Sequence, residues 1–277
     1  MTDVPLVTLN NGVKMPQLGL GVWQAAAGGE VEHAVSAALE TGYRLIDTAA
    51  MYKNEEGVGK AIRISGIPRE DIFVTTKLWN ADHGYDSARA AFDASLERLG
   101  LDYIDLYLIH WPVPAQNRYV ETWKALEEIY ASRRALAIGV SNFMPEHLGE
   151  LLAQGSVVPA VDQVELHPRL QQREIRKFCG EHGIQVESWS PIMRGELLGN
   201  SSIAPIAEKH GKSAAQVIIR WHLQHGLAVI PKSVHEERIR ENFDVFDFEL
   251  DGSDMGTLDA MDSGERTGPD PRTANFT

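Results

Sequence analysis

The chain has 277 residues, with 26 basic against 39 acidic side chains and a net charge of −13. Hydrophobic residues make up 43% and charged residues 23%, enough for a large buried core, which excludes disordered, collagen-like and disulfide-scaffold chains. The acidic balance speaks against nucleic acid or an anionic membrane surface as partner, whereas a small anionic ligand needs only a local group of cations.

In chain order, the segment VTLNNGVKMPQLG reads as a hairpin turning at Asn10-Asn11-Gly12. Eight short apolar runs follow: LGLGVW (18–23), YRLID (43–47), IFVTTKL (72–78), YIDLYLIH (103–110), ALAIGVS (135–141), VDQVEL (161–166), IQVESWS (184–190) and LAVIP (227–231). Each is followed by a stretch with helical spacing. Strands alternating with helices imply a parallel sheet buried on both faces. At this length a closed (β/α)8 barrel fits better than an open sheet, with the hairpin capping its bottom. The whole of 1–277 is expected to be one domain, its tail from about 263 irregular.

The helical stretch after IFVTTKL illustrates the pattern. Asp86 is the expected N-cap, Ala88, Ala91, Phe92, Leu96 and Leu99 share a face, and Gly100 stands where a left-handed cap belongs. The stretch 171–183 repeats it, with Ile175, Phe178 and Cys179 on one face and Gly183 after. Cys179, the one cysteine, reads as core filler. With no possible internal disulfide, no membrane-length apolar run and no signal-peptide pattern at the start, a cytoplasmic location is the expectation.

Several motifs fail. Gly211-Lys212-Ser213 lacks the earlier glycine of a phosphate loop, since position 206 is Ile, and reads as a helix–helix turn. Gly19 and Gly21 lack the third glycine of an open-sheet dinucleotide fingerprint, since position 24 is Gln. His222 and His225 have no third ligand in register, so a solvated or capping role is expected and no metal.

Barrel active sites form at the C-terminal strand ends, so polar residues there carry the weight. Asp47, Lys77 and His110 stand at or near three such ends, and Tyr52 lies in the loop after the first. Free tyrosine titrates near ~10; a neighbouring Lys77 favours its charged form and is expected to lower that value. Asp47 would hold Lys77, and His110 would donate to an oxygen gathering negative charge. Together the four suit carbonyl reduction: a hydride reaches carbon while Tyr52 gives oxygen a proton. Singly, each residue reads as readily as a cap, a surface group or a core histidine.

Three stretches then bear a resemblance: GYRLIDTAAMYKNEEGVG (42–59), AIGVSNF (137–143) and IPKSVHEERIREN (230–242). With TTKLW (75–79) and LIHWP (108–112), they resemble the aldo-keto reductase family over essentially the whole chain. Within it, NEEGVG, TTKLWN and DQVELHP are similar to the bacterial 2,5-diketo-D-gluconate reductase branch. The resemblance implies NADPH as cofactor and Asp47, Tyr52, Lys77 and His110 as the catalytic tetrad. It implies Ser141, Asn142 and Gln163 on the nicotinamide carboxamide, Trp189 stacked on the nicotinamide ring, and Ser190, Pro191 and Ile192 along the pyrophosphate. Lys232, Ser233 and Arg238 would hold the 2′-phosphate, with Glu241 and Asn242 on the adenine. Trp23, Met51, Trp79 and Trp111 would line the substrate pocket beside His110.

Two departures qualify this. Across 232–241, Lys232, Arg238 and Arg240 are offset by Glu236, Glu237 and Glu241, so NADPH is expected over NADH without a guarantee of a wide margin. The segment after Met261 is short and polar, which favours an open pocket accepting varied small carbonyl compounds, diketo-sugar acids, methylglyoxal and aromatic aldehydes among them. A monomer is the expected state. Two other readings compete: a Schiff-base lyase with Lys77 as the amine nucleophile, and a non-catalytic NADPH-binding sensor.

Overall fold

The computed structural model describes residues 4–276; Met1, Thr2 and Asp3 of the expected domain and Thr277 of the expected tail lie outside the described residues. Its elements run β1 (Leu6–Thr8), β2 (Lys14–Pro16), β3 (Leu20–Gly21), α1 (Gly29–Thr41), β4 (Leu45–Asp47), α2 (Glu55–Ile64), β5 (Phe73–Leu78), α3 (Tyr85–Leu99), β6 (Ile104–Ile109), α4 (Tyr119–Ala131), β7 (Ala135–Ser141) and α5 (Pro145–Gln154). They continue with β8 (Val161–Glu165), α6 (Arg173–His182), β9 (Gln185–Trp189), α7 (Ala204–His210), α8 (Ala214–Gln224), β10 (Ala228–Val229), α9 (Glu236–Phe243) and α10 (Gly252–Asp259).

Strands β3 to β10 form one eight-stranded sheet in chain order. Every neighbouring pair is parallel. The sheet closes on itself: Gly19 N donates to Val229 O at 2.9 Å, and Val229 N donates to Gln17 O at 2.9 Å. The expected (β/α)8 barrel is the observed fold. All residues of β5 and β6 are buried, because helices cover the outside and packed side chains fill the inside.

The strand period of two sorts each side chain to one layer. Ile46, Val74, Tyr107, Ile109, Ile138 and Val140 join the outer core under the helices. Leu45, Phe73, Leu106, Leu108, Ala137 and Val161 join the inner one. Close approach of strands inside the barrel is felt at Gly139, where a Cβ would lie 2.5 Å from Val161 O.

The hairpin of β1 and β2 closes the N-terminal end of the barrel, as expected. Asn10 Nδ2 donates to Pro159 O at 2.9 Å and Asn11 Nδ2 to Leu136 O at 3.0 Å, at the starts of β8 and β7. Leu9 and Met15 are buried in the inner core with Leu45, Phe73 and Leu106.

Local details both agree and disagree with the sequence reading. Gly100 and Gly183 take the left-handed conformation after α3 and α6, and Cys179 is buried in the core. Gly211-Lys212-Ser213 joins α7 to α8, with Ser213 accepting from Gln216 N as the cap of α8. Asp86 is not the N-cap of α3: the helix begins at Tyr85 and Gly84 precedes it. Tertiary acceptors serve that end instead, Thr122 Oγ1 for Gly84 N and Glu121 Oε1 for Tyr85 N. His222 is not solvated. It is fully buried, with Nδ1 2.8 Å from Ile218 O and Nε2 3.1 Å from Leu166 O.

Candidate active site

Inward-facing residues change character from one end of the barrel to the other. Along β4 the order is Leu45 then Asp47; along β5 it is Phe73, Thr75, Lys77; along β6 and just past it Leu106, Leu108, His110. On β7 it is Ala137, Gly139, Ser141, and on β8 Val161, Gln163, Glu165. Apolar groups sit at the hairpin end and polar or ionisable groups at the C-terminal end, where barrels place their chemistry.

The four candidate catalytic residues come together there. Lys77 Nζ donates to Asp47 Oδ1 at 2.6 Å and to Thr48 O at 2.9 Å, with both side chains of the ion pair buried. The same ammonium lies 5.2 Å from the Tyr52 ring centroid. Tyr52 and His110 meet edge-on with ring centroids 5.7 Å apart.

Burial pulls the Lys77 ammonium toward its neutral form, but Asp47 and Tyr52 outweigh it and hold its pKa above the ordinary value. Burial and the Lys77 charge together push His110 well down, so its imidazole is neutral. The expected fall in Tyr52 acidity range is not found. Lys77 does pull the phenol down, yet burial, helped by the Asp47 carboxylate, leaves its pKa raised. The phenol is therefore firmly protonated, ready as an acid.

Behind this group lies a polar layer. Ser141 Oγ donates to Gln163 O at 2.8 Å, Asn142 Nδ2 donates to His110 O at 3.0 Å, and Trp189 Nε1 donates to Asn142 Oδ1 at 2.9 Å. Asn142 holds a positive φ of 64°, a conformation asparagine tolerates better than most residues. Gln163 Nε2 reaches Asp47 Oδ2 at 2.8 Å. Ser190 also has a positive φ, 52°, and its hydroxyl is buried without a partner among the described residues. Pro191 is buried and Ile192 half-buried in the same turn.

At the start of α9 the cations separate into used and unused. Arg240 is committed to Glu236 at 2.7 Å. Lys232 and Arg238 are exposed and, among the described residues, in no ion pair. Ser233 and Asn242 are buried and Glu241 is half-buried.

Of the aromatic candidates, Trp79 is the one in ring contact with His110. Trp79 meets it edge-on at 5.3 Å, Trp111 packs with Val113 and Ala274, and Trp23 lies under the Arg194 guanidinium at 5.1 Å. Met51 is half-buried beside Tyr52.

Among the described residues the segment past Met261 carries no helix or strand, and it does not leave the site open. Glu165 is buried and accepts from Thr267 N and Oγ1, both at 2.6 Å, and from Gly268 N at 3.0 Å. Gly268 runs so close to Trp189 that a Cβ would lie 2.6 Å from the indole. Asn80 Nδ2 donates to Phe276 O at 2.8 Å, and the Phe276 ring packs on Trp111 at 5.3 Å and Trp79 at 6.0 Å. Sequence reasoning missed Phe276, Asn80, Glu165 and Glu187. Only the two glutamates left a trace, as charges inside otherwise apolar runs.

Comparison with known proteins gives the family. Residues 17–263 match the Aldo/keto reductase family. The chain is similar to glyoxal reductase of Bacillus subtilis (strain 168), 56% identical over 96% of this chain and 95% of that one. It is similar to methylglyoxal reductase DkgA of Escherichia coli (strain K12), 51% identical over 98% of each. Its fold matches the crystal structure of a Gox0644 mutant in complex with NADPH, with a TM-score of 0.95, 50% identity and coverage of 99% of this chain and 100% of that one. The chain that sets a buried Asp–Lys pair beside a tyrosine and a histidine at the mouth of a closed barrel matches that family from β3's approach to the start of the tail: it belongs to the aldo/keto reductase family.

Proposed function

We propose that this chain reduces small aldehydes and ketones to alcohols with NADPH, Tyr52 giving the proton. The observation that carries the reading is the Lys77–Asp47 pair, 2.6 Å long and buried, directed at a protonated Tyr52 next to His110. NADPH, when bound, supplies a hydride to the carbonyl carbon. Tyr52 donates its phenolic hydrogen to the carbonyl oxygen as charge gathers there. Lys77 stabilises the phenolate left behind, and Asp47 keeps Lys77 charged and in place. His110, neutral, carries one N–H to hold the oxygen in line.

The residues present suit the cofactor. The Trp189 indole is tied by its N–H to Asn142 and leaves a face for stacking on the nicotinamide. Ser141, Asn142 and Gln163 lie beside it for the carboxamide. Ser190, with its unpartnered hydroxyl, Pro191 and Ile192 suit the pyrophosphate. Lys232, Ser233 and the unpaired Arg238 suit a 2′-phosphate, with Glu241 and Asn242 next to the adenine. Trp23, Met51, Trp79, His110 and Trp111, joined by Phe276, frame the substrate.

Dicarbonyls such as glyoxal and methylglyoxal are favoured as substrates by the relatives' activities, and a pocket partly closed by Phe276 suits them better than bulky compounds. Diketo-sugar acids and aromatic aldehydes are the next candidates. A monomer is part of the same proposal. A Schiff-base lyase is disfavoured, because Lys77 is held protonated by Asp47 and a nucleophilic amine must be neutral. A non-catalytic sensor would not need the tetrad's buried charges.

The test is a panel of glyoxal, methylglyoxal, a diketo-sugar acid and benzaldehyde, followed by NADPH absorbance. Consumption dependent on enzyme and carbonyl is expected, fastest with the dicarbonyls. No consumption with any of the four would overturn the reading.

A further inference from the structure

Glu187 is fully buried in the barrel, on β9 opposite Gln163 of β8. Its Oε2 accepts from Gln163 Nε2 at 2.7 Å, and the same nitrogen donates to Asp47 Oδ2 at 2.8 Å. A primary amide has two hydrogens and one oxygen. Set between two carboxyl groups, Gln163 turns its nitrogen toward them, since its oxygen would meet only acceptors at the ionised Asp47. Both hydrogens are then used, and among the described residues nothing donates to Gln163 Oε1.

Among the described residues Glu187 also has no cation of its own. The Lys77 charge is matched by Asp47, so an ionised Glu187 would be an uncompensated buried charge. Its Oε1 is buried with no partner among the described residues, which leaves that oxygen free to carry a proton. The groups facing it are Asp47 of β4, Lys77 of β5 and Tyr52 in the loop after β4. Burial and the Asp47 carboxylate push the Glu187 carboxyl up to about 8, in keeping with a neutral acid.

We propose that Glu187 is a positioning residue for cofactor and tetrad alike: by taking one Gln163 hydrogen while Asp47 takes the other, it leaves Gln163 only an acceptor to offer, so that the site demands a donor, the carboxamide NH2 of a nicotinamide. This deepens the reductase reading and rests on it. A side chain at 187 that cannot accept frees one Gln163 hydrogen and lets the amide turn. The carboxamide contact and the hold on Asp47 then loosen together.

The experiment measures dissociation constants of NADPH and of adenosine 2′,5′-bisphosphate, which keeps the 2′-phosphate and lacks the nicotinamide, for the parent, Glu187→Leu and Glu187→Gln. In the Leu variant NADPH should weaken roughly tenfold, about the effect of one misplaced hydrogen bond, while the bisphosphate is unchanged. Gln retains an acceptor and should restore NADPH to within about threefold of the parent by the same reasoning. Should the Leu variant fail to fold, Glu187→Asp withdraws the carboxyl from Gln163 and should show the same selective loss. NADPH affinity unchanged in the Leu or Asp variant, or equal weakening of both ligands, would overturn the proposal. A parent that binds the bisphosphate and no better with the nicotinamide attached would overturn the reductase reading first, and this inference with it.

Discussion

The two ends of the barrel are built from the same strands and differ in almost every physical respect. At the hairpin end, Leu9, Met15, Leu45, Phe73 and Leu106 form a dry apolar layer, and the turn's two asparagines find backbone carbonyls. At the mouth, two to four residues further along the same strands, an ion pair is buried and, among the described residues, several polar atoms lack partners, His110 Nδ1, Glu187 Oε1 and Ser190 Oγ among them. The apolar layer and the two asparagines of the hairpin are satisfied within the chain. The other end is arranged for groups the chain does not contain, and a protein that only needed to fold would not leave it so. Stability should therefore reside at the floor and chemistry at the mouth.

Substitutions can separate or join those properties. Tyr52→Phe touches only the mouth: it removes a proton donor and no buried contact. Turnover should fall on the order of 10²–10⁴-fold, with the thermal midpoint and NADPH affinity held; near-normal turnover would remove Tyr52 from the mechanism. Lys77→Met is the case that should break the division. It takes the cation from Tyr52 and strands Asp47 as a buried charge, so turnover should collapse and stability should drop by about 3–5 kcal/mol in urea unfolding at neutral pH. An inactive variant as stable as the parent would show that Asp47 readily takes a proton, and that the pair is not a structural ion pair.

At the opposite end, Met15→Ala opens a cavity under the hairpin. A loss of about 2–5 kcal/mol is expected, with turnover per folded molecule unchanged; a large change in turnover would mean that floor packing sets the tetrad's geometry. Arg238→Gln sharpens the comparison on the mouth's rim, where the side chain is exposed and unpaired. NADPH should weaken roughly 10- to 150-fold and NADH little, with no change in stability. Equal losses for both cofactors would assign Arg238 a structural role.

How much of this was legible in the sequence follows from the same contrast. Eight strands could be read because helices outside and side chains inside make near-continuous apolar runs of them. The tetrad could be read because ionisable groups interrupt those runs at their C-terminal ends. The direction of the Tyr52 shift could not, since Lys77 is visible in the sequence while the depth of burial that outweighs it is not. Asp86 had the right residue type for a cap, yet Thr122 and Glu121, arriving from α4, served the start of α3. Phe276 was out of reach, because its place is fixed by a bond to Asn80 almost two hundred residues away. Glu187 was readable as an acid in a strand otherwise suited to full burial, and was passed over because only its pairing with Gln163 gives it a use.

The hairpin across the bottom of the barrel has a consequence for traffic. With Leu9 and Met15 wedged into that end, the barrel is a blind well, and reactant, product and cofactor must share one doorway. Whatever binds deeper has to arrive first and leave last. The tail runs past the edge of the Trp189 indole at Gly268, and Trp79, Trp111, Trp189 and Phe276 share one cluster at that doorway. Anything held at the mouth therefore shares its way in and out with everything else held there, and a product slow to leave stands in the path of the next reactant.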